Sequence, residues 1–413
     1  MCKTGRQVRG KKRYELPLLG GQPESTGGAI NTSGRFLRVV CGCFAAAAAL
    51  AARAQLPAEP LSAEQLAPRA SPHWVWVNDI NFFSMPDGQA FLVDGDSGRM
   101  LGMLSTGYSF NSLIPAKSGD VIYSPESYYS RGTRGTRTDV VTLYDTQHLQ
   151  PLGEIIIPPK RSSNMPMTAA AALTDDERFL VVYNFTPAQS VSIVDVRARK
   201  FLGEIDTAGC ALVYPTGPRT FFSVCGDGAV LLVTLGEDGK LVNRVRSAVL
   251  FDAMKDPLTE KAVRNGDTWY FASFQGTVYP IHSTARGVEL AAKWSLVSAA
   301  AEQAQGWRTG GLQHLAVHRP SGRLFAIMHR GGPETHKDPG VDIWVYDLKT
   351  RKRVQQISTK HKAGSISVSQ DDKPLLFSCF IESNVLDIYD ATSGRYLRSV
   401  DSLGQTPTVM VTR

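Results

Sequence analysis

The sequence predicts an all-β fold, a seven-bladed β-propeller of four-stranded blades, on three observations. These are a recurring phrase, the spacing of its copies, and a hydrophobic period of two. The clearest copy is Leu386–Val400, L-D-I-Y-D-A-T-S-G-R-Y-L-R-S-V, in which an alternating run meets an acidic turn and a second apolar run follows. That pattern is a β-hairpin. The phrase returns as F-L-V-D-G-D-S-G-R-M at Phe91, V-T-L-Y-D-T-Q-H-L-Q-P-L at Val141, V-S-I-V-D-V-R-A-R-K-F-L at Val191 and I-W-V-Y-D-L-K-T-R-K-R-V at Ile343.

The turn acids Asp94, Asp145 and Asp195 are 51 and 50 residues apart, and Asp347 and Asp390 are 43 apart. The 152 residues between Asp195 and Asp347 leave room for two more copies. Degenerate ones occur at Leu231, with the acid displaced to Glu237 and Asp238, and at Gly276, with no acid. Four short strands fit such a period, and each blade buries its faces against its neighbours. A helical solenoid of the same period would need a 3.6-residue pattern, and these segments alternate. Turn signals from His73 onward, such as Pro86-Asp87-Gly88, Thr174-Asp175-Asp176 and Gln370-Asp371-Asp372, punctuate the strands. The predicted organisation is a signal segment with a long basic leader at 1–54, an N-terminal arm at 55–72 and the propeller at 73–413.

The net charge of +7 is local. Residues 1–54 hold nine Lys or Arg against Glu15 and Glu24, and the remaining 359 residues carry 36 charges of each sign. A neutral body excludes whole-protein attraction to nucleic acid or anionic lipid. Within the leader, Arg35 and Arg38 precede the uncharged run Val39 to Ala52, and Ala52-Arg53-Ala54 closes it. These are the basic, apolar and small-x-small parts of a secretory signal. The 14-residue run is short for a membrane span, so a stable anchor is not expected; an uncleaved anchor or an artefactual start are the alternatives.

Cleavage would leave Cys210, Cys225 and Cys379. The first two flank a turn between strand-like runs and would meet in a hairpin. An oxidising compartment favours a disulfide there, against the alternative of two buried thiols. Cys379 lies in the apolar run L-L-F-S-C-F-I and reads as core. Two stretches break the strand rhythm and read as insertions on one rim: the charged, turn-rich Phe251–Gly266, and a short helix over Ser298–Gln305 with Ser298 as its N-cap. The basic loop Arg131-Gly132-Thr133-Arg134-Gly135-Thr136-Arg137 follows Tyr128-Tyr129 and is either a protein interface or a solvated hairpin.

No catalytic constellation emerges. His314 and His318 have the spacing of zinc ligands on a helix, but on a strand they would sit about 13 Å apart, too far for one metal. His329 and His336 flank a Gly-rich loop, and no metal site is assigned to this chain. The sequence contains no G-x-S-x-G, P-loop, H-E-x-x-H or G-x-G-x-x-G. The chain reads as a scaffold.

From Val75 onward the sequence resembles the heavy (large, α) subunit of quinoprotein amine dehydrogenases, the methylamine and aromatic amine types. The matching stretches are V-N-D at Val77, S-R-G-T-R-G-T-R-T-D-V-V at Ser130, P-P-K-R at Pro158, C-G-D-G at Cys225, L-G-E-D-G-K at Leu235, G-W-R-T-G-G at Gly306, T-H-K at Thr335, I-S-V-S-Q-D-D-K-P-L-L-F at Ile366 and L-R-S-V at Leu397. The resemblance implies a periplasmic propeller paired with a small disulfide-rich light subunit that carries tryptophan tryptophylquinone, two heavy chains with two light. It implies oxidation of a primary amine to aldehyde and ammonia, with electrons passing to a small copper protein. No catalytic residue is then expected in this chain. The family's aromatic at the mouth of the substrate channel, a Phe after a small residue, falls on Gly107-Tyr108, and its heavy-chain disulfide falls on Cys210 and Cys225. Tyr108 departs from the Phe by a hydroxyl that can narrow the channel or bond a polar substrate. The competing readings are a stand-alone periplasmic binding propeller without redox activity and a self-sufficient propeller hydrolase, which would need metal ligands facing the central channel.

Overall fold

The structure is a computed structural model, and it describes residues 64–413 apart from 109, 111, 112, 164, 285 and 286. The predicted signal segment and residues 55–63 of the predicted arm lie outside the described residues. Seven antiparallel sheets form the blades of a β-propeller. In chain order, blades 2 to 7 span 114–157, 171–206, 210–246, 263–295, 307–363 and 365–400. The two degenerate copies of the repeat are blades 4 and 5. Each blade holds four strand positions; the outer one of blade 5 and the inner one of blade 6 are each broken in two.

Blade 1 closes the ring. Its inner strand is the C-terminal Pro407–Thr412, paired antiparallel with Trp74–Asp79, so both ends of the described chain lie in one sheet. The V-N-D motif fastens this seam. Asn78 Nδ2 donates to the Val409 carbonyl (3.0 Å), and the buried Asp79 carboxylate accepts from the amides of Asn81, Gln405 and Thr406 and from the Thr406 hydroxyl (2.6–3.1 Å). On the opposite face, His73 bridges Asp96 of blade 1 (2.7 Å) and Asp371 of blade 7 (3.0 Å), clasping the same seam.

The turn acids act locally, as their residue type dictates. Asp94, Asp145, Asp195, Asp347 and Asp390 each accept from backbone amides two or three residues on, for example Asp390 from Thr392 (3.0 Å) and Ser393 (2.7 Å). Four residues after each acid the backbone turns left-handed, at Gly98, Leu149, Arg199, Arg351 and Gly394, and each hairpin carries a bulge. The repeat phrase is therefore the outer hairpin of a blade. The alternating Val, Ile, Leu and Phe side chains bury between blades, while Cys379 is fully inside with its thiol pushed up to about 12 by burial. That matches its reading as core.

Cys210 and Cys225 are register partners across the first hairpin of blade 4 and form a buried disulfide. The predicted helix is shorter than expected, Ala300–Ala304, and Ala299 rather than Ser298 occupies the N-cap, with no side-chain cap bond. Instead Gln303 Nε2 reaches back to the Val297 carbonyl (2.8 Å), and Glu302 pairs with Arg353 of the outer strand of blade 6 (2.6 Å). The Phe251–Gly266 stretch, expected as an insertion on one rim, is the connection from blade 4 to blade 5 and runs into the first strand of blade 5, Val263–Asn265. Phe251, Thr259 and Lys261 are buried, because this connection folds inward between blades 4 and 5.

Candidate functional site

Antiparallel blades place the outer hairpins on one face of the ring and the connections between blades on the other. Gly107 ends the outer strand of blade 1, Met100–Gly107, on the connection face. Its φ is +57°, and a Cβ there would lie 2.5 Å from Cε1 of Tyr128, so only glycine lets that ring pack over the backbone. The small residue that the resemblance implies at this place thus has a local cause in this chain.

Tyr108 follows and is fixed from three sides. Its amide donates to the Ser127 carbonyl (3.0 Å) and its carbonyl accepts from the Ser127 amide (3.3 Å), which pairs it with the second strand of blade 2. Its carbonyl also accepts from Nη2 of Arg161, a buried guanidinium that donates through Nε to Ser127 Oγ (2.9 Å) and through Nη1 to the Ser162 carbonyl (3.1 Å). Burial lowers the Arg161 pKa to about 10, opposed by the charge of Asp139, and the group stays cationic at neutral pH. Asp139, fully buried, accepts from Arg137 Nε (2.7 Å) and Nη2 (2.8 Å) and from the Arg161 amide (3.1 Å). Of the basic loop, then, Arg137 is structural, while Arg131 and Arg134 are exposed.

The Tyr108 ring stands against Phe110 (centroids 5.3 Å) and edge-on to Tyr129 (6.0 Å), and its hydroxyl is 3.5 Å from the Met85 sulfur. Burial raises its pKa, so the phenol remains a neutral donor, and the Met85 sulfur is a weak acceptor for it. Beneath the rim, the buried Glu126 carboxyl accepts from Thr142 (2.5 Å), Tyr128 (2.7 Å) and Tyr144 (3.0 Å), and burial raises its pKa. This cluster holds Tyr128 over Gly107.

The same face exposes apolar groups. Phe82 and Phe83, in the loop between the second and third strands of blade 1, are 54% and 83% exposed, and Met254 in the connection from blade 4 to blade 5 is 93% exposed. Exposed aromatic and Met side chains on one face are features of a partner-binding surface. The sequence reading missed Phe82 and Phe83; an apolar aromatic pair directly before the turn Pro86-Asp87-Gly88 was the available signal. It also missed Arg161, Asp139 and Glu126, which come together only through blade packing.

A cavity of about 450 Å³ runs along the ring axis, lined by inner-strand residues such as Ile114, Ala171, Leu315 and Val368. Its described lining holds no carboxylate, histidine or cysteine. His314 precedes and His318 ends one inner strand, Leu315–His318, and they serve different partners, Thr259 (3.2 Å) for the first and Ser321 (2.7 Å) with the Asp371 carbonyl (3.0 Å) for the second. His329 accepts or donates to Thr335 (2.8 Å), and the His336 ring stacks on Phe274 at 3.6 Å. Among the described residues no three potential ligands are grouped to hold a metal.

Comparison with known proteins decides the family. The family model for "methylamine dehydrogenase heavy chain (MADH)" matches residues 71–413. The chain belongs to the methylamine dehydrogenase heavy chain family. Its relatives in that family include the heavy chain of Methylophilus methylotrophus, 31% identical over 349 residues and 84% of each chain. The heavy chain of Paracoccus versutus is 32% identical over 358 residues, covering 86% of this chain and 82% of that one. Among solved structures, a functionally unknown protein from Desulfotomaculum acetoxidans superposes with a TM-score of 0.56 at 10% identity, over 82% of this chain and 98% of that one. The β-propeller domain of Cps50 (Swd1) from Myceliophteria thermophila does so at 0.51 and 10% identity, over 80% and 98%. These two share the fold alone. Membership in the heavy chain family supports a subunit of an amine dehydrogenase, and it does not favour the stand-alone binding propeller.

Proposed function

We propose that this chain is the heavy subunit of a periplasmic tryptophan tryptophylquinone-dependent amine dehydrogenase. The observation that carries the reading is the match to methylamine dehydrogenase heavy chains across the whole propeller. On this reading residues 1–54 direct export and are removed, two heavy chains hold two small disulfide-rich light subunits, and a small copper protein receives the electrons. The quinone resides on the light subunit and supplies the oxidising chemistry that converts a primary amine to aldehyde and ammonia. This chain binds and orients. The face bearing Phe82, Phe83, Met254 and the Tyr108 cluster receives the light subunit, burying apolar area that is otherwise exposed to water.

Tyr108 is the substrate-channel residue. Arg161 and Ser127 lock its backbone, so the ring and hydroxyl are held at one place on the rim rather than swinging. A neutral phenol there takes space that a Phe would leave and offers one donor to a polar substituent of the amine.

The test is co-expression of this chain with its light subunit, followed by quinone absorbance and amine-dependent dye reduction. The absence of both signals from a correctly assembled complex removes the dehydrogenase reading. Tyr108→Phe is expected to shift the ratio of kcat/KM between small aliphatic and aromatic amines while the melting temperature holds. An unchanged ratio removes the channel role and leaves the subunit assignment standing.

A further inference from the structure

The axial cavity is apolar along its wall and cationic at one end. Inner-strand side chains such as Ile114, Ala172, Val213, Val317 and Val368 make the wall. The polar residues among them use their donors on backbone carbonyls. Trp269 donates to Pro215 (2.7 Å), Gln313 to Met410 (3.0 Å), Thr412 to Val368 (2.9 Å), and Gln370 to both Val317 (3.0 Å) and Val368 (2.9 Å). A wall whose donors are satisfied in this way behaves largely as hydrocarbon. At about 450 Å³ the space falls within the range of small-molecule sites, about 300–1,000 Å³.

The end away from Tyr108 differs. There the turns that follow the inner strands surround the axis, and Arg264 of blade 5 and Arg319 of blade 6 both line the cavity. Arg264 is occupied. Its Nη1 and Nη2 hold the two oxygens of Asp175, in the corresponding turn of blade 3 (2.6 and 2.9 Å), and its Nε donates to the Gly266 carbonyl (2.8 Å). The other acids at this end are also placed elsewhere: Glu177 accepts from the Lys117 amide (2.7 Å), and Asp267 is exposed beside Arg264 at 3.9 Å. Arg319 is fixed through its backbone, its amide donating to Gln370 Oε1 (3.0 Å). Among the described residues its guanidinium has no hydrogen bond and no carboxylate partner, and the side chain is open to solvent. Its surroundings and the charge of Arg264 both lower its pKa, with no acid offsetting them. An arginine nonetheless stays charged at any working pH.

An uncompensated guanidinium at the mouth of a hydrocarbon-walled space selects a chemistry. A carboxylate meets the guanidinium fork in plane through two parallel hydrogen bonds, and an aliphatic chain gains by leaving water for the wall. One free cation matches one negative charge, and a polyanion would bring charge that nothing inside the cavity meets. We propose that the axial cavity binds an unbranched aliphatic monocarboxylate, its head group on Arg319 at the mouth and its chain along the inner strands. This site goes beyond the dehydrogenase reading and does not depend on it, because it opens on the face opposite Tyr108 and needs no light subunit.

The test is isothermal titration calorimetry of the full chain with butanoate, hexanoate and octanoate at constant ionic strength in chloride, with 1-octanol and inorganic phosphate as controls. One carboxylate per chain should bind, with affinity rising about two- to fourfold for each added methylene. Arg319→Met alters an exposed side chain that has no partner in the fold, so the melting temperature should hold; octanoate should then bind at least tenfold more weakly while 1-octanol is unaffected. Ala172→Leu narrows the wall in blade 3 and should level the series off before octanoate while leaving butanoate unchanged. Octanoate affinity that is unchanged in Arg319→Met, flat across chain length, or no tighter than that of phosphate would overturn the site. A chain-length series in Ala172→Leu that parallels the parent would overturn the placement of the chain. None of these readings uses amine turnover, so the proposal and the dehydrogenase reading fail separately.

Discussion

Replacing Gly107 by Ala tests how the rim is built. The added Cβ meets Tyr128 Cε1 at 2.5 Å and Cζ at 2.8 Å, well inside contact distance, and φ is +57°. Overpacking of this kind costs about 1–3 kcal/mol, and an L side chain in the left-handed region adds about 1–2 kcal/mol. The sum is about 2–5 kcal/mol, unless Tyr128 swings away and gives up its 2.7 Å bond to the buried Glu126 carboxyl. A double-mutant cycle with Tyr128→Ala separates the two contributions. With the ring gone the clash vanishes, and Gly107→Ala should cost only its backbone part, leaving a coupling of about 1–3 kcal/mol. Denaturant unfolding of the four proteins reads this directly. A cost of Gly107→Ala that is equal in both backgrounds, within about 0.5 kcal/mol, would show that Tyr128 does not dictate the glycine.

Three further outcomes are expected. Cys210→Ser opens a loop of 15 residues and should lower stability by about 3 kcal/mol without changing amine turnover in the assembled complex; equal melting temperatures for variant and parent would deny the disulfide its role. The His73 pKa is raised above the usual 6.5 of a histidine, burial opposing and Asp96 and Asp371 outweighing it. A raised histidine contributes stability that is full below pH 6.5 and fades as pH climbs through its folded-state value, so the deficit of His73→Gln in thermal melts should be larger at pH 6 than at pH 9. Arg351 is exposed and sits at φ +59°, where the matching turns carry Gly98 and Gly394. Arg351→Gly should therefore raise stability, by roughly 0.5–1 kcal/mol once the entropy of glycine is subtracted, and a lower melting temperature would contradict the turn assignment.

The blade count was legible because one hairpin repeats with its own punctuation. Asp145 or Asp390 bonds amides two and three residues away, so its role is written within five residues of sequence. Even the copy at Asp238 keeps that signature, its carboxylate accepting from the Lys240 amide (3.1 Å). Ser298 misled because a helix of five residues can begin at Ala299 when Gln303 and Glu302 fasten it from within and from blade 6. Arg161 was illegible for the opposite reason. Its partners, Ser127, the Tyr108 carbonyl and Asp139, come from blade 2 and from the connection before it, 22 to 53 residues away along the chain.

That contrast follows from how a propeller divides its surface. The outer hairpins are short, alike and confined to one face, where the same acid and a left-handed residue at the same position solve the same turn in five blades. The connections between blades emerge on the other face, and nothing obliges them to resemble one another. Phe82, Tyr108 and Met254 all lie in such connections or in the loops beside them, so the groups offered to a partner are collected on the face that the repeat leaves free. A partner that docks there is read by the irregular loops. The regular ones hold the ring in shape, and exchanging an outer turn between blades should leave partner binding intact, whereas exchanging the connection at 108–113 should abolish it in a complex whose heavy chain still melts as the parent does.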